Sequence, residues 1–383
     1  MPETDVKPSP AAPTLVTGTG KPLSVTRLRK TYGGVTAVDE VSMEIAAGEF
    51  VTFLGASGSG KTTTLMMIAG FCEPDSGSIV VGGRDVTRLA PQKRGLGFVF
   101  QQYLLFPHMT VWENVAFPLQ LRGVPKAELR QRVGETLEMA GLSAMARRRP
   151  RELSGGQQQR VALCRALVYR PPVILMDEPL GALDKKLRDQ LQTEIKRIQQ
   201  ELGLTVIYVT HDQEEALVLS DRIAVMRDGR IDQFDTPQEL FERPRTPFVA
   251  DFLGAANFLP GHLEERPDGD AHILVRLDTG GLLRARPQAA ADGSRVRAAV
   301  QPGRLALCPP GDGFCTGTVE TVTYVGTLVR VTVRPLGGAD TESVRLELPA
   351  GRAPALGERI GLTADPADVS VFPDALPDPE HGG

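Results

Sequence analysis

Cysteine is scarce in this chain, and long apolar runs are missing from it. The 383 residues include four widely separated cysteines and no C-x-x-C pair, which argues against a disulfide framework or a zinc site. No apolar run approaches the ~18 residues of a membrane-spanning helix, and the first residues contain no apolar signal core. These absences predict a soluble, cytoplasmic chain that would act at a membrane only through a separate protein.

Neither sign of charge dominates. The chain has 43 Lys and Arg residues against 47 Asp and Glu, a net charge of −4, which argues against a protein whose main task is coating nucleic acid. Hydrophobic residues make up 41% and charged residues 23%, which excludes a disordered or fibrous chain. At roughly 100–200 residues per domain, the length predicts two or three domains.

The pattern of apolar residues changes near residue 254. Between about 22 and 253, short apolar runs at 50–54, 173–176, 205–209 and 223–226 alternate with helical stripes. This alternation predicts an α/β domain with a largely parallel sheet and a helical subdomain at about 102–165. Residues 254–372 contain short β-like stretches, including one at 317–333, separated by Gly, Pro and Asp. They predict an all-β small barrel, and residues 1–21 and 373–383 predict flexible tails.

The strongest local motif directly follows the predicted strand at 50–54. Residues 55–62 match G-x-x-x-x-G-K-[ST], and a helical run follows them. In this setting, glycines let backbone N–H groups converge on an anion, and the helix N-terminus adds positive potential. The lysine supplies a charge to the β- and γ-phosphates, and the threonine hydroxyl can ligate Mg²⁺. The predicted nucleotide-binding residues are Gly55, Ala56, Ser57, Gly58, Ser59, Gly60, Lys61, Thr62 and Thr63.

An acidic pair follows another predicted strand. The run at 173–176 leads directly into Asp177 and Glu178, which places both at the carboxyl edge of the sheet, beside the phosphate loop. Asp177 is predicted to hold Mg²⁺ through the water shell of the ion. Glu178 points elsewhere and is predicted to polarise an attacking water as a general base.

A third motif lies between these two and consists of Leu153, Ser154, Gly155, Gly156 and Gln157, followed by a helical run. Ser154 has the form of a helix N-cap, and the exposed amides of a capped helix start bind phosphate. In company with the other two motifs, this pentad resembles the signature of ATP-binding cassette (ABC) ATPases.

Four further residues match the pattern of that family in the right order. Gln101 matches the Q-loop glutamine, which in the family senses Mg²⁺ and the nucleotide. Asp184 matches the D-loop that crosses the dimer interface, and His211 matches the switch histidine at the γ-phosphate. Tyr32 occupies the place of the aromatic that stacks on adenine. The resemblance therefore implies three catalytic residues, Glu178, His211 and Gln101, and a metal site of Thr62, Asp177 and Gln101.

The resemblance also implies a homodimer with ATP and Mg²⁺ as its cofactors. In the family, the signature of one subunit completes the ATP site of the other. Ser154 and Gly156 would therefore cap a γ-phosphate held by Lys61 of a second copy.

The number of phosphate loops and the lengths of the segments between motifs indicate one branch of the family. The chain has one phosphate loop and about 90 residues between 62 and 153, too few for a long coiled coil. It resembles the ATP-binding subunit of importers with a C-terminal transport-associated barrel. This branch implies two integral-membrane permeases, one of them docking near residues 101–112, and indirectly a periplasmic or extracellular solute-binding protein. It implies a peripheral location on the cytoplasmic face of the inner membrane, and no nucleic acid is expected.

The substrate and one rival class stay open at this point. Residues 317–326 resemble the barrel of polyamine, ferric-ion and aminoethylphosphonate importers alike. Residues 257–261 and 116–119 are similar to the polyamine (spermidine/putrescine) group, which is the preferred interpretation. The alternatives are import of ferric ion, 2-aminoethylphosphonate or a sugar by the same machinery. The rival class is a soluble ABC nucleotide switch or nucleic-acid-binding ATPase that uses the barrel for binding.

Overall fold

The structure is a computed structural model that describes residues 20–181, 183–264, 272–286, 294–337 and 342–374. Most of both predicted tails lies outside these ranges. The backbone N–H groups of Gly20 and Lys21, by contrast, are hydrogen-bonded to the carbonyl oxygens of Gly203 and Pro172. Within the described ranges, no helix combines the length and the apolar character needed to cross a membrane.

The first of two compact units ends at Pro237 and contains two sheets and several helices. Its strands are β1 (Leu23–Tyr32), β2 (Val35–Ile45), β3 (Phe50–Leu54), β4 (Ser76–Val81), β5 (Arg84–Asp85), β6 (Gly97–Val99), β7 (Val173–Asp177), β8 (Thr205–Thr210), β9 (Arg222–Arg227) and β10 (Arg230–Asp235). One sheet has the order β10-β9-β3-β8-β7-β6, parallel except for β10, and the other is antiparallel in the order β2-β1-β4-β5. The predicted α/β class with a largely parallel sheet is confirmed, whereas the antiparallel sheet was not predicted.

The helices of this unit follow the predicted apolar stripes. They are α1 (Lys61–Ala69), α2 (Pro91–Arg94), α3 (Val111–Leu121), α4 (Lys126–Met139), α5 (Gly155–Leu167), α6 (Lys185–Leu202) and α7 (Gln213–Leu219). Leu129, Val133 and Leu137 of α4 are buried, as a stripe at helical spacing requires. They share a hydrophobic core with residues of α3 and α5, so these three helices pack together. In the sequence, all three lie between β6 and β7.

The second unit begins at Gln238 and is mainly antiparallel β-structure. Its elements, after α8 (Pro237–Glu242) and α9 (Pro247–Gly254), are β11 (Asn257–Glu264), β12 (Ile273–Leu277), β13 (Leu282–Ala285), β14 (Arg295–Val300), β15 (Leu305–Cys308), β16 (Cys315–Val325), β17 (Leu328–Pro335), β18 (Val344–Pro349), β19 (Arg359–Ala364) and β20 (Ser370–Pro373). They form two five-stranded sheets, ordered β13-β12-β11-β14-β20 and β15-β19-β16-β17-β18. Both sheets contribute to one hydrophobic core, so the predicted all-β class is confirmed.

Two details differ from the sequence prediction. The β-like stretch at 317–333 is a hairpin of β16 and β17 that turns at Gly326, whose φ of 66° favours glycine. The units divide after Pro237, whereas the sequence places the boundary after 253. The reason is that α8 and α9 pack within the second unit: Gln301 donates a hydrogen bond to the carbonyl oxygen of Phe241, and Ala250 shares a core with Phe372.

Candidate functional site

The phosphate loop turns sharply between β3 and α1. All five residues of β3 are buried, which fixes the start of the loop. At its end, Gly60 has a φ of 96°, and a Cβ there would lie 2.5 Å from the carbonyl oxygen of Ala37 on β2. Only glycine satisfies both conditions, because an L side chain would be strained and would also clash with backbone. The structure therefore places the predicted residues 55–63 in one strand–loop–helix turn.

Lys61 lies inside this loop. Its Nζ donates hydrogen bonds of 2.8 Å to the carbonyl oxygens of Gly55 and Ala56. Burial lowers the pKa of Lys61, and the nearby carboxylates of Glu178 and Asp177 partly oppose this shift. The loop thus holds a partly desolvated positive charge, which the phosphates of a nucleotide would stabilise.

The loop also contains a buried hydroxyl group, that of Ser59. The buried hydroxyl of Ser59 makes no hydrogen bond within the described part of the chain. A buried unpaired hydroxyl costs free energy, so the loop contains donor capacity that its own residues do not use. The glycine-rich motif predicted Ser59 as a loop residue but gave no sign of this unpaired hydroxyl.

Thr62 and Asp177 meet at the carboxyl edge of the sheet. The Oγ1 of Thr62 donates a hydrogen bond of 3.1 Å to Oδ1 of Asp177, the last residue of β7. Burial raises the pKa of Asp177, while the hydrogen bond from Thr62 opposes the rise. The described residues contain no group of three or more His, Cys, Asp and Glu side chains able to hold a metal ion. One hydroxyl and one carboxylate instead suit Mg²⁺, which takes few protein ligands besides water and phosphate oxygens.

Glu178 is the point where three predicted residues converge. Its Oε2 accepts a hydrogen bond of 3.2 Å from Nε2 of Gln101 and lies 3.3 Å from Nδ1 of His211. Its backbone N–H donates to the carbonyl oxygen of Val209 on β8 at 3.0 Å. Its φ of 42° is left-handed, an unfavourable conformation for a non-glycine residue. The carboxylate is thus held by two neighbouring strand ends beside the phosphate loop.

The signature pentad forms the capped start of α5. The hydroxyl of Ser154 accepts a hydrogen bond from the N–H of Gln157, whose side chain accepts one from the N–H of Ser154. This reciprocal capping box satisfies two orphan donors of the helix start. Ser154 and Gly155 are exposed, while Leu153 and Gly156 are buried. The structure thus presents the capped helix start at the surface of the subunit.

Two predicted residues make local contacts outside the phosphate loop. Asp184 is the N-cap of α6, with its Oδ1 accepting from the N–H of Leu187 at 3.0 Å. Tyr32 has a half-exposed ring, and its hydroxyl lies 2.9 Å from Sγ of Cys72. The single chain therefore gathers the loop, the acidic pair, Gln101 and His211, while the contacts described for Asp184 and Tyr32 are with other residues.

Sequence reasoning missed a buried polar group four residues after His211. Glu215, on α7, is buried and accepts hydrogen bonds from the side chains of Tyr208 and Thr210 at 2.7 and 2.9 Å. Burial raises the pKa of Glu215. The available signal was the second glutamate after His211, which falls on the buried face of a short helix.

Two family profiles match the chain. The ABC transporter profile matches residues 38–181, which contain the phosphate loop, the signature and the acidic pair. The TOBE domain profile matches residues 298–372, within the second unit.

Named relatives match between 79% and 97% of the chain. The spermidine/putrescine import ATP-binding protein PotA of Thermobifida fusca is 46% identical over 97% of this chain and 99% of its own length. PotA of Acidothermus cellulolyticus is 51% identical over 79% of each chain. The Fe(3+) ions import ATP-binding protein FbpC of Rhizobium etli is 47% identical over 80% of this chain and 87% of its own.

Solved cassettes share the fold of the first unit. The ATP-binding cassette MJ0796, in a dimeric post-hydrolysis state with ADP and phosphate, is 36% identical with a TM-score of 0.51 and covers 56% of this chain and 98% of its own. The cbiO1 protein of Clostridium perfringens is 30% identical with a TM-score of 0.54, over 58% of this chain and 90% of its own. With the phosphate loop, acidic pair and signature each in place, the chain belongs to the ABC transporter family, as an ATP-binding ABC-type ATPase with a C-terminal TOBE domain.

Proposed function

We propose that this chain is the ATP-hydrolysing subunit of an importer and that it works with separate membrane permeases. The observation that carries the proposal is the convergence of Gln101 and His211 on Glu178 beside the phosphate loop. Full-length similarity to proteins named as import ATP-binding proteins supports the direction of transport.

The loop residues 55–63 bind the phosphates of ATP in this proposal. Lys61 leaves its two carbonyl partners and pairs with the β- and γ-phosphates, and Tyr32 stacks on adenine. Thr62, Asp177 and Gln101 would hold Mg²⁺, which would neutralise negative charge on the phosphates.

Glu178 acts as the general base in hydrolysis. A water attacks the γ-phosphorus and passes a proton to the Glu178 carboxylate, while the bond from the γ-phosphorus to the β–γ bridging oxygen breaks. ADP and inorganic phosphate are the products. His211 and Gln101 orient the carboxylate and the water, a role supported by their distances of 3.3 and 3.2 Å from Oε2 of Glu178.

Two copies complete each ATP site. Because Ser154 and Gly155 are exposed at a capped helix start, the signature is free to meet the γ-phosphate bound by a second copy. Ser154 and Gly156 cap that γ-phosphate. Leu153 and Gln157 support the helix start, and Asp184 lies at the dimer interface. The dimeric MJ0796 cassettes support this arrangement by similarity.

The partners are two permeases and, indirectly, a solute-binding protein on the other side of the membrane. The chain then sits peripherally on the cytoplasmic face of the membrane. Residues 101–112, between the Q-loop glutamine and the start of α3, form the surface that receives a permease.

The transported solute is a polyamine of the spermidine/putrescine type. PotA relatives at 43–51% identity support this substrate. Ferric ion is the second candidate, because FbpC relatives reach 47% identity.

Uptake in cells separates these two substrates. A host without its own polyamine and ferric-ion importers would carry this chain together with its partner permeases and solute-binding protein. We expect labelled spermidine uptake with the native chain and none with Lys61→Ala, while the exposed Lys93→Ala serves as the matched control. Ferric uptake without spermidine uptake would reject the polyamine assignment, and uptake of both solutes by Lys61→Ala would reject the ATP-driven mechanism.

A further inference from the structure

Arg188, on the first turn of α6, connects two loops that are distant in sequence. Its Nη1 donates a hydrogen bond of 2.9 Å to Oδ2 of Asp212, the residue that follows His211. Its Nη2 donates a hydrogen bond of 3.1 Å to the carbonyl oxygen of Leu183, which precedes Asp184. One planar guanidinium therefore fixes the switch-histidine loop and the D-loop relative to each other.

The buried carboxylate of Glu215 also lies close to the Arg188 guanidinium. Oε1 of Glu215 lies 3.5 Å from Nε of Arg188, and the Glu215 side chain is 3% exposed. Because Glu215 also accepts from Tyr208 and Thr210, its position is fixed from the β8 side. The guanidinium thus lies between two carboxylates and one carbonyl oxygen. These neighbours restrict the movement of the Arg188 side chain.

The same helix turn also touches the signature. A Cβ on Gly156 would lie 2.8 Å from both δ carbons of Leu187, and one on Gly155 would lie 3.5 Å from a δ carbon of Leu183. Movement of the start of α5 is therefore passed directly to the turn that carries Arg188.

We infer that Arg188 is a positioning residue that couples the two ATP sites of the dimer. It ties His211, which serves the ATP of its own subunit, to the D-loop and signature, which serve the ATP of the partner. The inference rests on the proposed dimer. When the signature engages the partner's nucleotide, Arg188 sets the place of His211, so each site hydrolyses ATP efficiently only after the other has closed.

The test uses steady-state hydrolysis by the full-length chain. We expect Arg188→Gln to lower kcat about tenfold with KM within about twofold, since ATP binding itself is untouched. We also expect its ATP dependence to lose the cooperativity of the native chain. The kcat of Arg188→Lys should lie between those of the native chain and Arg188→Gln. One ammonium group cannot reach both Asp212 and Leu183 in the fork geometry of a guanidinium.

A neighbouring ion pair provides the matched control. Lys185 and Glu214 join the same two helices at 3.4 Å but are 73% and 67% exposed, so Lys185→Gln makes a similar change of charge without touching either loop. We expect its kcat and cooperativity to equal those of the native chain, because exposed pairs contribute little.

Four results would overturn the inference. They are a kcat of Arg188→Gln within twofold of the native value, native cooperativity in Arg188→Gln, a loss confined to KM, or an equal loss in Lys185→Gln. Thermal melting identifies a variant that does not fold, in which case Arg188→Lys decides by the same criteria. If the native chain itself hydrolyses no ATP, or does so without cooperativity as a monomer, the proposed function fails instead, and the inference with it.

Discussion

At the scale of single residues, Asp177 shows how ligand binding and stability compete. Its carboxylate is buried next to the phosphate loop, and burial raises its pKa above the ordinary value of 3.8. A carboxyl whose pKa is raised on folding stabilises the fold only while protonated, so that contribution is lost as the pH rises through the folded pKa. At neutral pH the nucleotide-free protein therefore carries an ionised group in an unfavourable environment.

We predict that Asp177→Asn raises the melting temperature of the nucleotide-free protein at pH 7. The amide removes the buried charge and still accepts from Thr62, while binding of Mg²⁺ and ATP becomes weaker. The difference in melting temperature should shrink as the pH is lowered towards 3.8. Melting curves in a chelating buffer over a pH series measure it.

Asp85 provides a control of opposite sign. It is exposed, and hydrogen bonds from Thr87 lower its pKa, so its carboxylate stabilises the fold at neutral pH. Asp85→Asn should therefore lower the melting temperature slightly. A lower melting temperature for Asp177→Asn at pH 7 would show that its charge is better compensated than burial suggests.

The residues at the site were only partly predictable from the sequence. Lys61, Thr62 and Asp177 were predicted because their chemistry is tied to fixed positions after two strands, and the structure brings them together. Arg188 was not predicted, because its contacts with Asp212 and Glu215 join residues distant in sequence and leave no local pattern. Glu215 was missed although it lies on a short helix directly after His211. The left-handed conformation of Glu178 likewise depends on its neighbours in space.

At the scale of elements, substitution of alanine at two glycines should change the free energy of unfolding in opposite directions. Gly60 caps α1 with a φ of 96°, and its Cβ would meet backbone at 2.5 Å, whereas Gly134 lies inside α4 with open space around it. We predict that Gly60→Ala loses nucleotide binding and destabilises the fold by about 1–3 kcal/mol. Gly134→Ala should stabilise the fold by about 0.5–1 kcal/mol, since alanine has the higher helix propensity.

Urea unfolding with a nucleotide-binding assay measures both changes. Gly134→Ala serves as the control for the substitution itself, because it adds the same methyl group. Unimpaired nucleotide binding by Gly60→Ala would show that the loop can adopt a different backbone path.

The elements themselves were predicted where burial is continuous. The strands β3, β7 and β8 are buried throughout, so their sequences are mainly apolar runs that flanking residues delimit. By contrast, β1 and β2 are interrupted by shifts of register near Leu28 and Lys30 and by positive φ at Arg27 and Glu40. Such irregular strands lose the alternation on which sequence reasoning depends.

At the scale of the whole molecule, each unit has hydrophobic clusters of its own. The cluster of the β-rich second unit contains no residue of the first. The units divide about 16 residues before the boundary expected from the sequence, because α8 and α9 look like a continuation of the α/β pattern. Only their contacts with the second unit assign them to it.

We predict two thermal transitions in calorimetry. Mg-ADP should raise only the transition of the first unit, by an amount equivalent to about 2.7 kcal/mol at 100 times its dissociation constant. The transition of the second unit should stay where it is. A single transition that moves as a whole would show that the two units unfold cooperatively.

The central claim is that ATP is hydrolysed only between two copies of this chain. The most direct measurement is analytical ultracentrifugation of Glu178→Gln with and without Mg-ATP, together with its rate of phosphate release. Glu214→Gln is the matched control, because it makes the same change at an exposed glutamate. We predict a hydrolysis rate reduced at least about 100-fold and, with ATP only, a species of twice the 41.3 kDa of one chain. A variant that stays monomeric with saturating ATP, or that hydrolyses at the native rate, would contradict the account.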